Sequence, residues 1–564
     1  MKRVTVLLLS ALTLSSAAAA PFEYDLVLAN GRVADGTGAP WFRADVGIRG
    51  DRIAALGNLS AAKARRRIDV GGRMVAPGFI DMLGGSGLAV LVDNRLESKV
   101  RQGITTEITG EGRELAPLDD ALIEEIKLYV DRFGLKIDWR DLDGYVRRFE
   151  NAKSTINIAA FASATNLRLM VLGSNDVKPG PEQLRKMESL LERAMAQGAL
   201  GLSSALIYPP ATYADREELT ALARVAARHG GVYATHLRSE AHDLFPAVDE
   251  AIAIGRDAAI PVEIWHLKAS GRSNWGRMRE VLERIERARA EGVDVTADVY
   301  PYDAAANELT ANIPAWAQAG GRKQMLERLQ DSTVRERIKA ELWRTAVGDE
   351  TPDRIQVFAS PRPEVKPYLG LRISEISERT GRTPEEALLH LVEISEGAVG
   401  AIRYVMSEDD VRLALSRPWV SLCTDSAGKA IDGPFAGESA HPRGFGSMPR
   451  VLGHYVREVR LFSIEDAVRK MTSLPARRVG LYERGLLRPG MFADITVFDP
   501  ERIRDVATFE NPTRYSEGVD YVVVNGRVVL DAGRMSSERP GRFLRRGREG
   551  PFDSPRPGGR AIQR

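Results

Sequence analysis

The chain has 564 residues, 44% of them hydrophobic, and a net charge of only +2. That near-balance excludes the basic stripe of a nucleic-acid binder, and the lack of long apolar runs beyond the first 20 residues excludes a helical membrane span. Cys423 is the only cysteine, which excludes an intramolecular disulfide and a metal-thiolate cluster.

Residues 1–20 have the three-part layout of a secretory signal peptide: Met1-Lys-Arg, an apolar run from Val4 to Leu14, then small residues up to Ala20. Cleavage is expected near Ala19, which makes the mature protein periplasmic or secreted. Residues 21–75 read as short alternating strands, with Asn30-Gly31 and Gly50-Asp51 as hairpin turns. The same texture returns over 481–541, in Ala493 to Phe498 and Tyr521 to Leu530. The simplest architecture joins the two ends of the chain in one β-sandwich beside an inserted core.

That core, residues 76–480, offers eight strand candidates in succession: Gly78–Asp81, Ile104–Thr109, Thr155–Ala159, Ala199–Ser203, Val232–His236, Val262–His266, Val293–Val299 and Trp419–Thr424. Amphipathic stretches such as Pro181 to Ala196 and Arg216 to Ala227 lie between them, so the fold class is α/β, with a (β/α)₈ TIM-like barrel as the expected form. Alternation alone also fits a doubly wound sheet. The gap between the last two strands is about 120 residues, far more than one crossover needs. It predicts an inserted subdomain at about 304–415 over the barrel mouth. After Gly533 the composition shifts to Arg, Gly, Pro and Ser, and residues 542–564 are expected to form a disordered basic tail.

Two strands end on histidine. His236 and His266 lie 30 residues apart with a helical stretch between them, the length of one strand–helix unit, which sets both rings side by side at the mouth. One histidine at a strand end is commonly a hydrogen-bonded structural residue, whereas a matched pair points to a metal. Asp425, just past the eighth strand, reads either as the cap of a helix beginning near Ser426 or as a proton carrier.

In order, Val75-Ala-Pro-Gly-Phe-Ile-Asp81, Arg101-Gln-Gly-Ile-Thr-Thr106, Gly201-Leu-Ser-Ser-Ala-Leu-Ile-Tyr208, Thr235-His-Leu-Arg238, His266-Leu-Lys268, Asp298-Val-Tyr-Pro-Tyr302, Thr424-Asp425 and His441-Pro-Arg443 resemble the amidohydrolase superfamily. The narrower resemblance is to the D-aminoacylase, or N-acyl-D-amino-acid deacylase, family. It covers about Tyr24 to Gly541 and implies zinc-assisted hydrolysis of a linear amide, with His236 and His266 as metal ligands and Asp425 as general base.

The sequence departs from that pattern in two places. Most members carry His-x-His after Phe-Ile-Asp, whereas Asp81 here is followed by Met82-Leu83-Gly84-Gly85-Ser86, which removes any metal site built on that pair. A cysteine-bearing turn of the family becomes Thr109-Gly110-Glu111-Gly112, so the resemblance implies Glu111 as the third ligand of a single Zn²⁺, its other reading being a surface turn residue. Lys268, Arg443, Tyr208 and Tyr302 match positions implied for binding an N-acylated amino acid, a role suited to cationic and phenolic donors facing a carboxylate. Tyr302 also reads as a core aromatic, and Arg443 as a partner of a helix. The competing functions are a cyclic-amide hydrolase of the dihydropyrimidinase or dihydroorotase type, and an inactive barrel that binds N-acyl amino acids or peptides.

Overall fold

The computed structural model describes residues 22–112, 115–344, 348 and 350–547, so the expected leader and residues 548–564 of the tail lie outside the described residues. Both ends of the chain build one nine-stranded sheet. Its amino-terminal strands are β1 (Tyr24–Val33), β2 (Phe42–Arg49), β3 (Arg52–Gly57), β4 (Ala64–Asp69) and β5 (Met74–Pro77).

The parallel core follows with β6 (Phe79–Asp81), β7 (Ile104–Thr109), β8 (Asn157–Ala160), β9 (Ala162–Ser163), β10 (Gly201–Ala205), β11 (Val232–His236), β12 (Val262–Ile264) and β13 (Val295–Val299). A three-stranded antiparallel sheet holds β14 (Ala305–Glu308), β15 (Ile355–Ala359) and β16 (Gly400–Arg403). Then come β17 (Val420–Leu422) of the core and the sheet strands β18 (Ile495–Phe498), β19 (Val519–Val524), β20 (Arg527–Asp531) and β21 (Arg534–Met535).

In the terminal sheet β18 pairs antiparallel with β5, which joins the two ends of the chain directly. It is one continuous hydrogen-bonded sheet and carries its own apolar cluster of Leu28, Val33, Ile48, Val75, Ile495 and Val523. Gly50-Asp51 and Asn525-Gly526 are hairpin turns. Asn30-Gly31 is not. It lies inside β1 at a bulge, where Asn30 takes φ 62° and its N–H donates to Asp45. A Cβ on Gly31 would stand 2.6 Å from the Val75 side chain, so glycine is needed there for close strand approach.

The parallel core runs β6-β7-β8 in one sheet and β9-β10-β11-β12-β13-β17 in another. Phe161 alone separates β8 from β9, and its N–H bonds Thr109. At the other junction the Met82 N–H donates to Leu422 and the Asp425 N–H to Leu83. These strands are buried on both faces, as their near-continuous apolar sequences require, with amphipathic helices such as Pro181–Ala196 and Arg216–Arg228 packed outside.

Residues 305–403 carry a separate apolar core of Leu309, Met325, Leu329, Ile355, Leu388 and Val392. This subdomain is held on its outer side by Arg335, which pairs with Glu386 and Glu393, and by Lys339. Arg335 and Lys339 hold the Glu386 carboxyl down at about 2. A depressed carboxyl stabilises the fold fully above its ordinary range near 4.5, and that contribution is lost as pH falls toward 2. At so exposed a site it amounts to roughly 1 kcal/mol. Glu386→Gln should therefore lower subdomain stability at pH 7 but not at pH 2, as read by hydrogen exchange of the helices Ser332–Glu341 and Pro384–Ile394.

The expected disorder of the tail fails over 542–547. The Ile158 N–H donates to Arg542 and the Leu544 N–H to Ile158, which lays the segment along β8. Phe543 packs edge-on against Tyr145 and Phe149, and Leu544 is buried. Two apolar anchors thus outweigh the arginines around them.

Candidate active site

The carboxyl ends of the parallel strands open into a cavity of about 420 Å³. His236 closes β11 and projects into it. β12 stops at Ile264, and His266 is turned inward by a left-handed backbone, φ 37°, which the Asp298 carboxylate fixes by accepting the His266 N–H at 2.8 Å. Glu111 arrives from the turn after β7. Its Oε1 lies 2.9 Å from His236 Nδ1 and 3.4 Å from His266 Nε2, and the two rings stand 4.4 Å apart.

These residues fit a metal ion. One donor atom from each of Glu111, His236 and His266 lies within 4.8 Å of the others, and the set of one carboxylate and two imidazoles is a zinc-type ligand set with a fourth position to spare. Burial alone would push the Glu111 carboxyl up. The two imidazoles outweigh it and hold the carboxylate ionised, well below the usual range. Burial and Lys268 both oppose charge on His266, yet Asp425, Glu111 and Glu240 together push it up to about 10. Such a demand for positive charge is what a bound cation satisfies.

Behind the rings lies Glu240, missed in the sequence although it stands four residues after His236. Its Oε1 is 3.2 Å from His266 Nδ1 and also takes a hydrogen bond from Lys268. The Lys268 Nζ is 2.7 Å from His266 Nδ1. Lys268 lines the cavity, but its ammonium is engaged by Glu240 and His266, so it orients the ring.

Asp425 follows β17 in a left-handed conformation, φ 45°. No helix begins at Ser426, so the capping alternative falls away. Burial pushes the Asp425 carboxyl up against the pull of Arg443 and His266. Arg443, at the start of the helix Arg443–Arg450, reaches Asp425 Oδ2 at 2.8 Å and lies over the Tyr300 ring, 4.6 Å from its centroid. Its Nε is buried without an acceptor. His441 aims this arginine by accepting the Arg443 N–H on Nδ1 while Nε2 donates to Ala304. Tyr208 packs edge-on to His236, and both it and Asn307 of the inserted subdomain line the cavity.

Tyr302 is not part of the site. The Tyr302 N–H bonds the Tyr300 carbonyl across Pro301, and this tight turn throws Tyr302 out of the cavity onto His441 and Phe509, where its hydroxyl donates to Asp505 at 3.2 Å. Tyr300 takes the cavity position instead.

The pattern of the amidohydrolase family matches residues 66–530. The chain is 38% identical to an N-acyl-D-glutamate deacylase and 37% identical to a D-aminoacylase, both from Alcaligenes xylosoxydans xylosoxydans; each alignment covers 93% of this chain and 97% and 98% of the relative. Among solved structures, an N-acyl-D-glutamate deacylase from Bordetella bronchiseptica, complexed with zinc and a phosphonate mimic of the tetrahedral intermediate, superposes with a TM-score of 0.77 at 35% identity, covering 93% of this chain and 99% of that one. A match that takes in both the parallel core and the sheet around it, on a chain whose cavity presents a metal-type donor set, makes this protein a metal-dependent hydrolase of the amidohydrolase family.

Proposed function

We propose that the protein deacylates N-acyl-D-amino acids with one zinc ion per chain, held by Glu111, His236 and His266, on parallel strands that close as a (β/α)₈ barrel, β8 and β9 together forming one of its eight staves. The observation that carries this reading is the convergence of those three donors on the same cavity as Asp425 and Arg443, whose buried Nε has no acceptor. The bonds from β6 to β17 and the short step from β8 to β9 support the closed barrel.

When bound, zinc supplies Lewis acidity, polarising the amide carbonyl and easing loss of a proton from water. The chain's own groups do the rest. Arg443 receives the substrate carboxylate through its free Nε–H, with the terminal nitrogen shared with Asp425 beside it, and the Tyr300 face beneath fixes the plane of the guanidinium. That anchor sets the scissile amide beside Asp425. As water adds to the carbonyl carbon, Asp425 takes its proton and passes it to the nitrogen while the C–N bond breaks, giving a fatty or short-chain acid and a free amino acid. Burial keeps Tyr208 a neutral hydroxyl beside Glu111. Lys268 and Glu240 hold the His266 ring in place.

Elemental analysis of the purified protein, with a screen of N-acyl-D- and N-acyl-L-amino acids, tests the reading. One zinc per chain and turnover of the D series are expected. Two tightly held metals, or hydrolysis confined to cyclic amides, would overturn it. Arg443→Lys keeps a charge but not the planar fork, and should raise KM about tenfold or more. We also infer export from the leader-like segment 1–20, to be checked by the amino-terminal sequence of protein recovered outside the cytoplasm. A mature chain that still begins at Met1 would exclude it.

A further inference from the structure

Lys99 is one of the largest fully buried side chains among the described residues, with no side-chain exposure, yet it stands outside the cavity and the chemistry above does not use it. It comes from the short helix Glu97–Val100. Its ammonium donates to Asp81 Oδ2 at the end of β6, to Thr424 Oγ1 at 2.6 Å and to the Ser426 carbonyl at 2.7 Å, and Glu107 Oε2 of β7 lies 3.0 Å away. All three ammonium protons are accounted for, and the two acceptors beyond Asp81 are the immediate neighbours of Asp425 on either side.

The rest of the cluster serves the same loop. Asp81 Oδ1 accepts the Thr424 N–H at 2.8 Å and its Oδ2 accepts the Thr424 hydroxyl. Glu107 accepts the Ser86 N–H and hydroxyl, while the Ser86 oxygen accepts the Gly428 N–H at 2.8 Å. No Cβ fits at Gly84, where it would stand 2.2 Å from the Glu107 carboxyl carbon. The end of β6 is therefore shaped around this buried ion cluster, and the segment from Thr424 to Gly428 is moored to it at both ends. Between the moorings Asp425 holds φ 45°, a left-handed conformation that aspartate tolerates better than most residues but that still costs energy without glycine, so bonds on either side that hold it contribute directly.

We propose that Lys99 is a positioning residue for Asp425: its ammonium ties Thr424 and Ser426 to β6 and so imposes the left-handed backbone from which the Asp425 carboxylate enters the cavity. This rests on the reading of Asp425 as the general base. The internal ammonium joins strand ends from the first, second and last core strands, so its removal frees the Asp425 loop without touching Glu111, His236 or His266.

The test is a double-mutant cycle on kcat with Lys99→Met and Asp425→Asn, with zinc content and Tm measured for each variant. Lys99→Met in the native background should lower kcat roughly 10- to 100-fold, as misplacement of a reacting group by about 1 Å does, at unchanged zinc content and little changed KM. In the Asp425→Asn background the same substitution should have almost no further effect. If Lys99→Met does not fold, because Asp81 and Glu107 are left facing each other, Thr424→Val, which removes one of the ammonium's acceptors at constant shape, replaces it in the cycle. An equal loss in both backgrounds would overturn the proposal and leave Asp425 as the base. Near-native turnover of Asp425→Asn alone would instead remove the base reading, and the proposal with it.

Discussion

His266→Ala should give a folded protein that no longer retains zinc and has lost essentially all hydrolysis of N-acyl-D-amino acids. The ring is at once one of three proposed donors, the partner of Glu111 and a neighbour of Lys268 and Glu240 at its Nδ1, so no neighbouring side chain can take its place. With two donors left, the site falls below the ligand number that holds zinc tightly. Folding should survive, because β12 ends before residue 266 and is secured by pairing to β11 and β13. The measurement is zinc per chain after dialysis against a weak chelator, beside far-ultraviolet circular dichroism. A His266→Ala protein that keeps one zinc and its activity would remove this residue from the metal shell. Glu111→Gln, which leaves a neutral oxygen in the same place, should weaken zinc binding but not abolish it.

Asp425→Asn should retain its zinc and lose about 10²- to 10⁴-fold in kcat, since the carboxamide cannot accept the proton of the attacking water. The substitution is nearly isosteric, and asparagine tolerates the left-handed backbone at this position. It also removes the counter-charge of Arg443, 2.8 Å away. KM should therefore fall or hold while kcat collapses, because the guanidinium is released to the substrate carboxylate. A rise in KM with kcat unchanged would identify Asp425 as a binding group only.

How much of this was legible in the sequence follows from how local each signal is. His236 and His266 could be found because each ends a β-branched run and their spacing is one strand–helix unit. Glu111 could be found because its turn, two residues past a readable strand, matches the cysteine-bearing turn of the resembling family. The roles of Lys268 and Glu240 could not, since a lysine at a strand end looks the same whether it faces substrate or a carboxylate 28 residues away. Tyr300 and Tyr302 share a motif, and only the turn at Pro301 decides which of them sees the cavity. Lys99 was the least legible. In sequence it is a helical lysine between Ser98 and Val100, and its partners at 81, 107, 424 and 426 come together only when the last core strand has met the first.

The pairing of β5 with β18 sets Met74 against Phe498. At the ~5–20 residues per second of chain synthesis, roughly 20 to 80 s pass between the appearance of one strand and of the other. For that interval β5 carries an open hydrogen-bonding edge, and the apolar side of β1 and β5, with Val33 and Val75, lacks the Ile495 and Val523 that cover it in the finished molecule. The terminal sheet is consequently the last part to be sealed, its folding rate governed by contacts of the longest range in the chain. A polypeptide that stops short of residue 495 would hold every proposed metal ligand and Asp425, yet it would present an unpaired strand to any other nascent copy.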